Sequence, residues 1–165
     1  MRARMAGPAD AAEIARIYNE GIEDRIATFE TRPRSADDVG AWFAGTSPIV
    51  VVEENGTIVG FASTSPYRAR ECYAGVAEFS VYVARGARGR GVGRGALLAL
   101  MAAAERAGLA KLVSRIFPEN LASRALCRSL GFREVGVYRR HGQVDGVWRD
   151  CVIVERLLGE AGRAR

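Results

Sequence analysis

Residues 84–100 read ARGARGRGVGRGALLAL, with five glycines and four arginines crowded in front of an unbroken apolar run. The segment before it, AGVAEFSVYVA, alternates as a strand does: Ala77, Phe79, Val81 and Val83 on one face, Glu78, Ser80 and Tyr82 on the other. The segment after it, VGRGALLALMAAAERAGL, predicts a long helix ended near Gly108. Strand, glycine-rich loop and helix in this order constrain the chain strongly. A helix N-terminus carries unpaired N–H groups and a partial positive charge. Glycines let that backbone approach a ligand closely. Together they make an anion site suited to phosphates. The competing reading, a flexible arginine-rich surface loop, leaves the strand–loop–helix context unexplained.

The identity of the polyanion narrows by elimination. GVGRGA (91–96) formally matches a dinucleotide fingerprint, but that motif wants an acid at the end of the next strand, and KLVSRIF (111–117) has none. A phosphate-binding P-loop needs Gly-Lys-Ser/Thr, which is missing. A single-strand nucleic-acid binder wants aromatic side chains among its cations, and residues 84–100 hold none. The net charge of +5 over 165 residues is mild and fits nucleic acid, an anionic cofactor, or nothing in particular.

The rest of the chain predicts an α/β fold with a mixed sheet. PADAAEIARIYNEGI reads as a first helix with Asp10 as its N-cap and Ile14, Ile17, Tyr18 and Ile22 on its apolar face. SADDVGAWFAG opens a short second helix with a capping-box pattern. IVVVEENGTIVGFASTSP is a hairpin around Asn55-Gly56. After the long helix come a short strand (AKLVSRI), a helix (NLASRALCRSLGF) and two last strands around a turn holding Gly142 and Asp145-Gly146. The tail GEAGRAR reads as frayed. The order is α-α-β-β-β-α-β-α-β-β, in one domain over 1–165 with its core at about 6–158. Three cysteines without a C-x-x-C pair argue against a disulfide framework or zinc site and for a reduced, cytoplasmic protein. No run reaches membrane-span length, and MRARMAGPAD lacks an apolar signal core, so neither membrane nor metal is expected.

Arg88-Gly89-Arg90-Gly91-Val92-Gly93 resembles the R/Q-x-x-G-x-G/A motif of the GNAT acetyltransferases. NLASRALCRSLGF is similar to their N-x-A-S-x-x-L-Y-x-x-L-G-F stretch, at matching spacing from the loop. The resemblance implies a GNAT-like mixed central sheet flanked by helices, and acetyl-CoA as cosubstrate. It implies that the amides of Gly89 to Gly93 hold the pyrophosphate and that Val81 and Val83 pair their backbone with the pantetheine arm. It places Asn120 and Ser123 beside that arm, and Arg88, Arg90 and Arg94 near the CoA phosphates, where guanidinium pairing is geometrically good.

A second resemblance, carried by NEGIEDRIATFETRP, YRARECYAGVAEFSVYV and GVWRD, is to the phosphinothricin, methionine sulfoximine and arsinothricin acetyltransferases. These act on the α-amino group of glutamate-like amino acids. An α-amino group titrates near ~8, so at neutral pH it is mostly charged and must lose a proton before attack. Glu78 matches the subfamily's catalytic glutamate; the competing reading is a solvated strand carboxylate. Cys127 stands where GNAT enzymes often carry Tyr and this subfamily His. It reads either as a proton donor to the leaving CoA thiolate or as a space-filling side chain. An anionic acceptor wants arginines, first Arg70 and then Arg68, and Thr28, Phe29 and Glu30 are expected to wall the pocket. His141 lies in a turn-like stretch and reads as exposed. Trp148 reads as a core aromatic rather than one closing the site across the homodimer that the resemblance implies. The expected function is N-acetylation of a small amino-acid-like amine. The alternatives are acetylation of a protein N-terminus or another amine, and a non-catalytic CoA-binding module.

Overall fold

The computed structural model describes residues 1–163. Its centre is one seven-stranded sheet, ordered β1-β2-β3-β4-β5-β7-β6. The strands are β1 (Arg2–Met5), β2 (Ile49–Glu54), β3 (Thr57–Pro66), β4 (Val76–Val83), β5 (Lys111–Ile116), β6 (Arg133–Val144) and β7 (Val147–Leu157). Every neighbouring pair is antiparallel except β4 and β5, which run parallel. The α-helices among the described residues are α1 (Ala11–Asp24), α2 (Ala36–Gly40), α3 (Val92–Arg106) and α4 (Leu121–Ser129). The expected mixed sheet flanked by helices is therefore present.

The alternation along β4 decides which helix lies on which face. Tyr82 is buried against Tyr18 of α1 in an edge-to-face pair 5.0 Å apart and stacks on Phe61 at 5.3 Å. Val81 and Val83 point the other way, toward Gly93 at the start of α3. Phe79, on that same face, meets Phe132 just beyond α4. So α1 covers one face of the sheet, and α3 and α4 cover the other. Ile14, Ile17 and Ile22 of α1 and Leu97 and Leu100 of α3 fill the two core layers. Both expected hairpin turns form. Asn55-Gly56 and Asp145-Gly146 each place two successive residues at positive φ, whose twist matches the flanking strands.

The structure corrects four sequence expectations. Strand β1 was not expected. It pairs with β2 from Arg2 opposite Glu53 to Met5 opposite Val50, and Arg4 ties it down through Glu53 and Asp10. Asp10 stands at the start of α1, but its carboxylate caps the preceding turn, accepting from the Gly7 amide at 2.9 Å and from Arg4. Gly142 and His141 belong to β6 rather than to a turn, after a bulge in which Arg140 has φ 46°. The tail is ordered as a short turn over Gly159–Gly162 behind buried Leu158; its last two residues lie outside the described ones. Ser35 and Asp38 form the expected capping box of α2.

Candidate active site

The sheet opens where the strands stop pairing. Among the described residues, β4 and β5 are joined at Val76–Lys111, Ala77–Leu112 and Glu78–Val113, and not beyond. Past that point β4 continues for five residues with β3 as its partner, so its other edge is free. The Ser114 hydroxyl reaches back across the fork to the Phe79 carbonyl, 2.9 Å away. An open strand edge of this kind offers unpaired backbone groups to an extended ligand.

The glycine loop closes the far end of the fork. Gly89 and Gly91 have φ of 77° and 84°, a region that L side chains avoid, and Gly91 is the residue from which α3 starts. The chain can therefore turn sharply and present the first amides of α3 toward the fork. Its arginines flank the opening, each anchored sideways. Arg88 meets Asp24 at 2.7 Å and the Val83 carbonyl at 3.3 Å. Arg90 meets Glu54 at 3.0 Å, and Arg94 donates to the Ser129 hydroxyl at 3.1 Å. The Arg88 guanidinium, with Arg85 adding to it, holds the Asp24 carboxyl below its usual range.

On the α4 side of the fork, Val81, Asn120, Ser123, Leu126 and Cys127 line one cavity. Asn120 caps α4 by accepting from the Ser123 amide at 3.2 Å, and its side-chain amide leans 3.4 Å from the Ile26 carbonyl. Cys127 is 3% exposed, and burial, with the Glu134 charge adding to it, pushes its thiol up to about 11. It is therefore protonated at neutral pH and a poor nucleophile.

Glu78 stands at the last paired position before the fork. Arg115 of β5 donates to its Oε2 at 3.2 Å, and Arg68 lies 3.7 Å from its Oε1. Arg68 in turn stacks over the Tyr67 ring and donates to the Tyr67 carbonyl. Arg70 starts the next turn, exposed. Of the two expected arginines, Arg68 is thus the one the structure brings to the carboxylate. On the same face as Glu78, a cavity of about 340 Å³ runs past Ser80 and Arg115. Ala27, Thr28, Phe29 and Glu30 form one wall, and His141, Gly142 and Gln143 of β6 form the other. Phe29 packs edge-on against Phe117 at 4.8 Å and fills the space that a side chain on Gly142 would take.

Sequence reading missed Arg115 and the place of His141. A second charge within the strand KLVSRI, after its opening lysine, was the available signal for the first. Nothing local could show that a bulge brings the second to the wall. Trp148, expected in the core, is 53% exposed on the outer hairpin. Among the described residues no cluster of three or more His, Cys, Asp or Glu could hold a metal, and no helix is long and apolar enough to cross a membrane.

Residues 14–132 match the model of the Acetyltransferase (GNAT) family. The chain is 34% identical over 164 residues to an L-methionine sulfoximine/L-methionine sulfone acetyltransferase of Salmonella typhimurium, covering 97% of this chain and 96% of that one. It is similar to the crystal structure of a phosphinothricin acetyltransferase from Sinorhizobium meliloti in complex with AcCoA, with a TM-score of 0.90, 31% identity and coverage of 99% and 91%. It is equally similar to a ribosomal-protein-alanine N-acetyltransferase from Brucella melitensis, with a TM-score of 0.91, 34% identity and coverage of 96% and 100%.

Proposed function

This chain belongs to the GNAT family and is an acetyl-CoA-dependent N-acetyltransferase, and we propose that its acceptor is the α-amino group of a glutamate analogue of the phosphinothricin, methionine sulfoximine or arsinothricin type. The role is detoxification in the cytoplasm. The observation that carries this reading is Glu78, set where β4 and β5 part and flanked by guanidinium groups that an amino acid's anionic groups can use.

The fork and loop fit acetyl-CoA. The amides of Gly89 to Gly93 take the pyrophosphate, with Arg88, Arg90 and Arg94 beside it, and the free edge at Val81 and Val83 takes the pantetheine arm, near Asn120 and Ser123. At the acceptor end, Arg68 holds the carboxylate, with Arg70 at the rim. Thr28, Phe29 and Glu30 wall the side chain. Glu78 takes the ammonium proton, directly or through one water. The amine nitrogen then bonds to the thioester carbon, the C–S bond breaks, and the electron pair leaves on the CoA sulfur, which takes up the proton that the attacking nitrogen sheds as it becomes an amide. Cys127 lies on the α4 side of the fork with its proton held tightly. Its role is an S–H hydrogen bond to that sulfur rather than outright proton donation.

The catalytic unit is one domain, and its likeness to enzymes acting on small amino acids supports a small-molecule acceptor. A homodimer is supported by the outer hairpin, where Val135, Val137, Tyr138, Val147 and Trp148 are all exposed on or beside the edge strand β6. The likeness to a ribosomal-protein-alanine N-acetyltransferase favours a second reading, acetylation of a protein N-terminus. Thiol release from acetyl-CoA, measured over phosphinothricin, methionine sulfoximine, arsinothricin, glutamate, spermidine and an N-terminal alanyl peptide, separates them. Turnover on the first three with little on glutamate is expected. Turnover on the peptide alone would transfer the acceptor to the second reading.

A further inference from the structure

Glu78 is bracketed, and the bracket is asymmetric. Its Oε1 faces Arg68, which comes from the loop after β3 and stacks on Tyr67. Its Oε2 faces Arg115, which comes from β5 on the other side of the fork. Arg115 is the one of these two arginines that also lines the cavity between Thr28–Glu30 and His141–Gln143. It is half-exposed, and among the described residues Glu78 is its only ion-pair partner. The one acid on the cavity wall, Glu30, is already engaged by Arg34 at 2.8 Å. Apart from Glu30, the polar side chains lining the space are Arg115, His141, Gln143, Thr28, Ser80, Ser114 and Tyr82, so no unpaired carboxylate faces it.

We propose that Arg115 is a specificity-determining residue that binds the anionic head group of the acceptor, at the opposite end from the carboxylate held by Arg68. This rests on the amino-acid reading above and adds the identity of the head-group ligand. In a glutamate analogue the amine and carboxylate share one carbon, and the head group lies several bonds away. With the amine at Glu78 and the carboxylate at Arg68, two spaces adjoin that carbon: one past Ser65, Ser80 and Trp42 with no charged side chain in its lining, and the cavity past Arg115, which alone offers a cation to an anionic head. A planar guanidinium suits a tetrahedral anionic head because it can donate two parallel N–H bonds to two of its oxygens. The cavity's 340 Å³ is ample for a short side chain and a head of four or five heavy atoms.

The test compares two acceptors of similar length that differ in head charge, phosphinothricin and methionine sulfone, in wild type, Arg115→Gln and Arg115→Lys. Loss of a charge-assisted contact lowers the ratio of kcat/KM for the charged over the neutral head by about 10- to 100-fold in Arg115→Gln. That loss should sit mainly in KM, with partial recovery in Arg115→Lys. A wild-type urea midpoint in the variants reports that the fold is intact, a control that does not depend on the cofactor cavity Arg115 also lines. An equal fall on both acceptors, leaving the ratio unchanged, overturns the inference and leaves Arg115 as a positioning residue for Glu78. Wild-type enzyme inert on both acceptors overturns the amino-acid reading itself, and the inference with it.

Discussion

Replacing the Glu78 carboxylate with the amide of Gln keeps its shape and its place at the fork but removes its ability to take a proton. Turnover in Glu78→Gln is expected to fall by about 10²- to 10⁴-fold with acetyl-CoA affinity unchanged. Thiol release and calorimetry check the two halves, and wild-type turnover in the variant would remove Glu78 as the base. The cysteines make a second case, because the fold sorts them by access. Cys72 is exposed, whereas Cys127 and Cys151 are buried and both thiols are pushed up, chiefly by burial. Alkylation of the native protein near neutral pH should label Cys72 and spare the other two, as peptide mass spectrometry would show. Rapid labelling of Cys127 would mean an open, reactive thiol and would make it a candidate nucleophile. The place of Glu78 on the polar side of its strand could be read from the alternation there. Which of Arg68 and Arg70 lies beside its carboxylate could not, because both lie in one loop and only its path sets which guanidinium returns to it.

At the level of elements, the periodic segments were legible and the joints between them were not. Helices α1 and α3 and the β2–β3 hairpin follow from apolar spacing and turn residues. Strand β1 has no such pattern: RARM is a strand because the edge of β2 is there to pair with it. The fork was invisible for a related reason. Nothing in KLVSRI or VAEFSVYV says that their pairing stops at Glu78 and Val113; tertiary packing of α4 and the loop after α1 decides it. The bulge in β6 is likewise a three-dimensional fact, and it brings Gly142 against Phe29. A methyl group there would lie 2.7 Å from a ring carbon of Phe29, whose ring is itself held by Phe117. Gly142→Ala should therefore push the acceptor wall inward. The expected result is a raised KM for the amino acid, an unchanged KM for acetyl-CoA, and a loss of stability of about 1–3 kcal/mol. Steady-state kinetics with urea unfolding measure both. An unchanged acceptor KM would show that this wall does not touch the acceptor.

Across the whole molecule, the charges that tie elements together and the groups sealed inside them set opposite limits of pH. Four carboxyls that join separate elements are held below their usual range, each mainly by one cation: Asp10 by Arg4, Asp24 by Arg88, Glu134 by Arg124 and Glu155 by Lys111. A carboxyl whose pKa is lower in the folded state contributes stability that is fully present above its unfolded value near ~4 and is lost as pH falls through the folded one. Buried thiols and phenols act the other way. Cys127 is pushed up to about 11, Cys151 is raised, and Tyr82 is raised by burial beyond the ordinary tyrosine range. Their contribution is full below the unfolded thiol value near ~8.5 and is lost as pH climbs through the folded values. The urea midpoint should thus be flat from about pH 5 to 8, fall below ~4, and fall again above ~9. Between the unfolded and folded values a single such thiol accounts for at most about 1.4 kcal/mol per pH unit. Cys127→Ala lowers the plateau by leaving a small void, but it should also make the alkaline limb shallower while the acid limb keeps its shape. Parallel alkaline limbs in the two proteins would mean that the thiol is already in contact with water in the native state, and that the floor of the fork beneath Val81 and Asn120 is open rather than sealed.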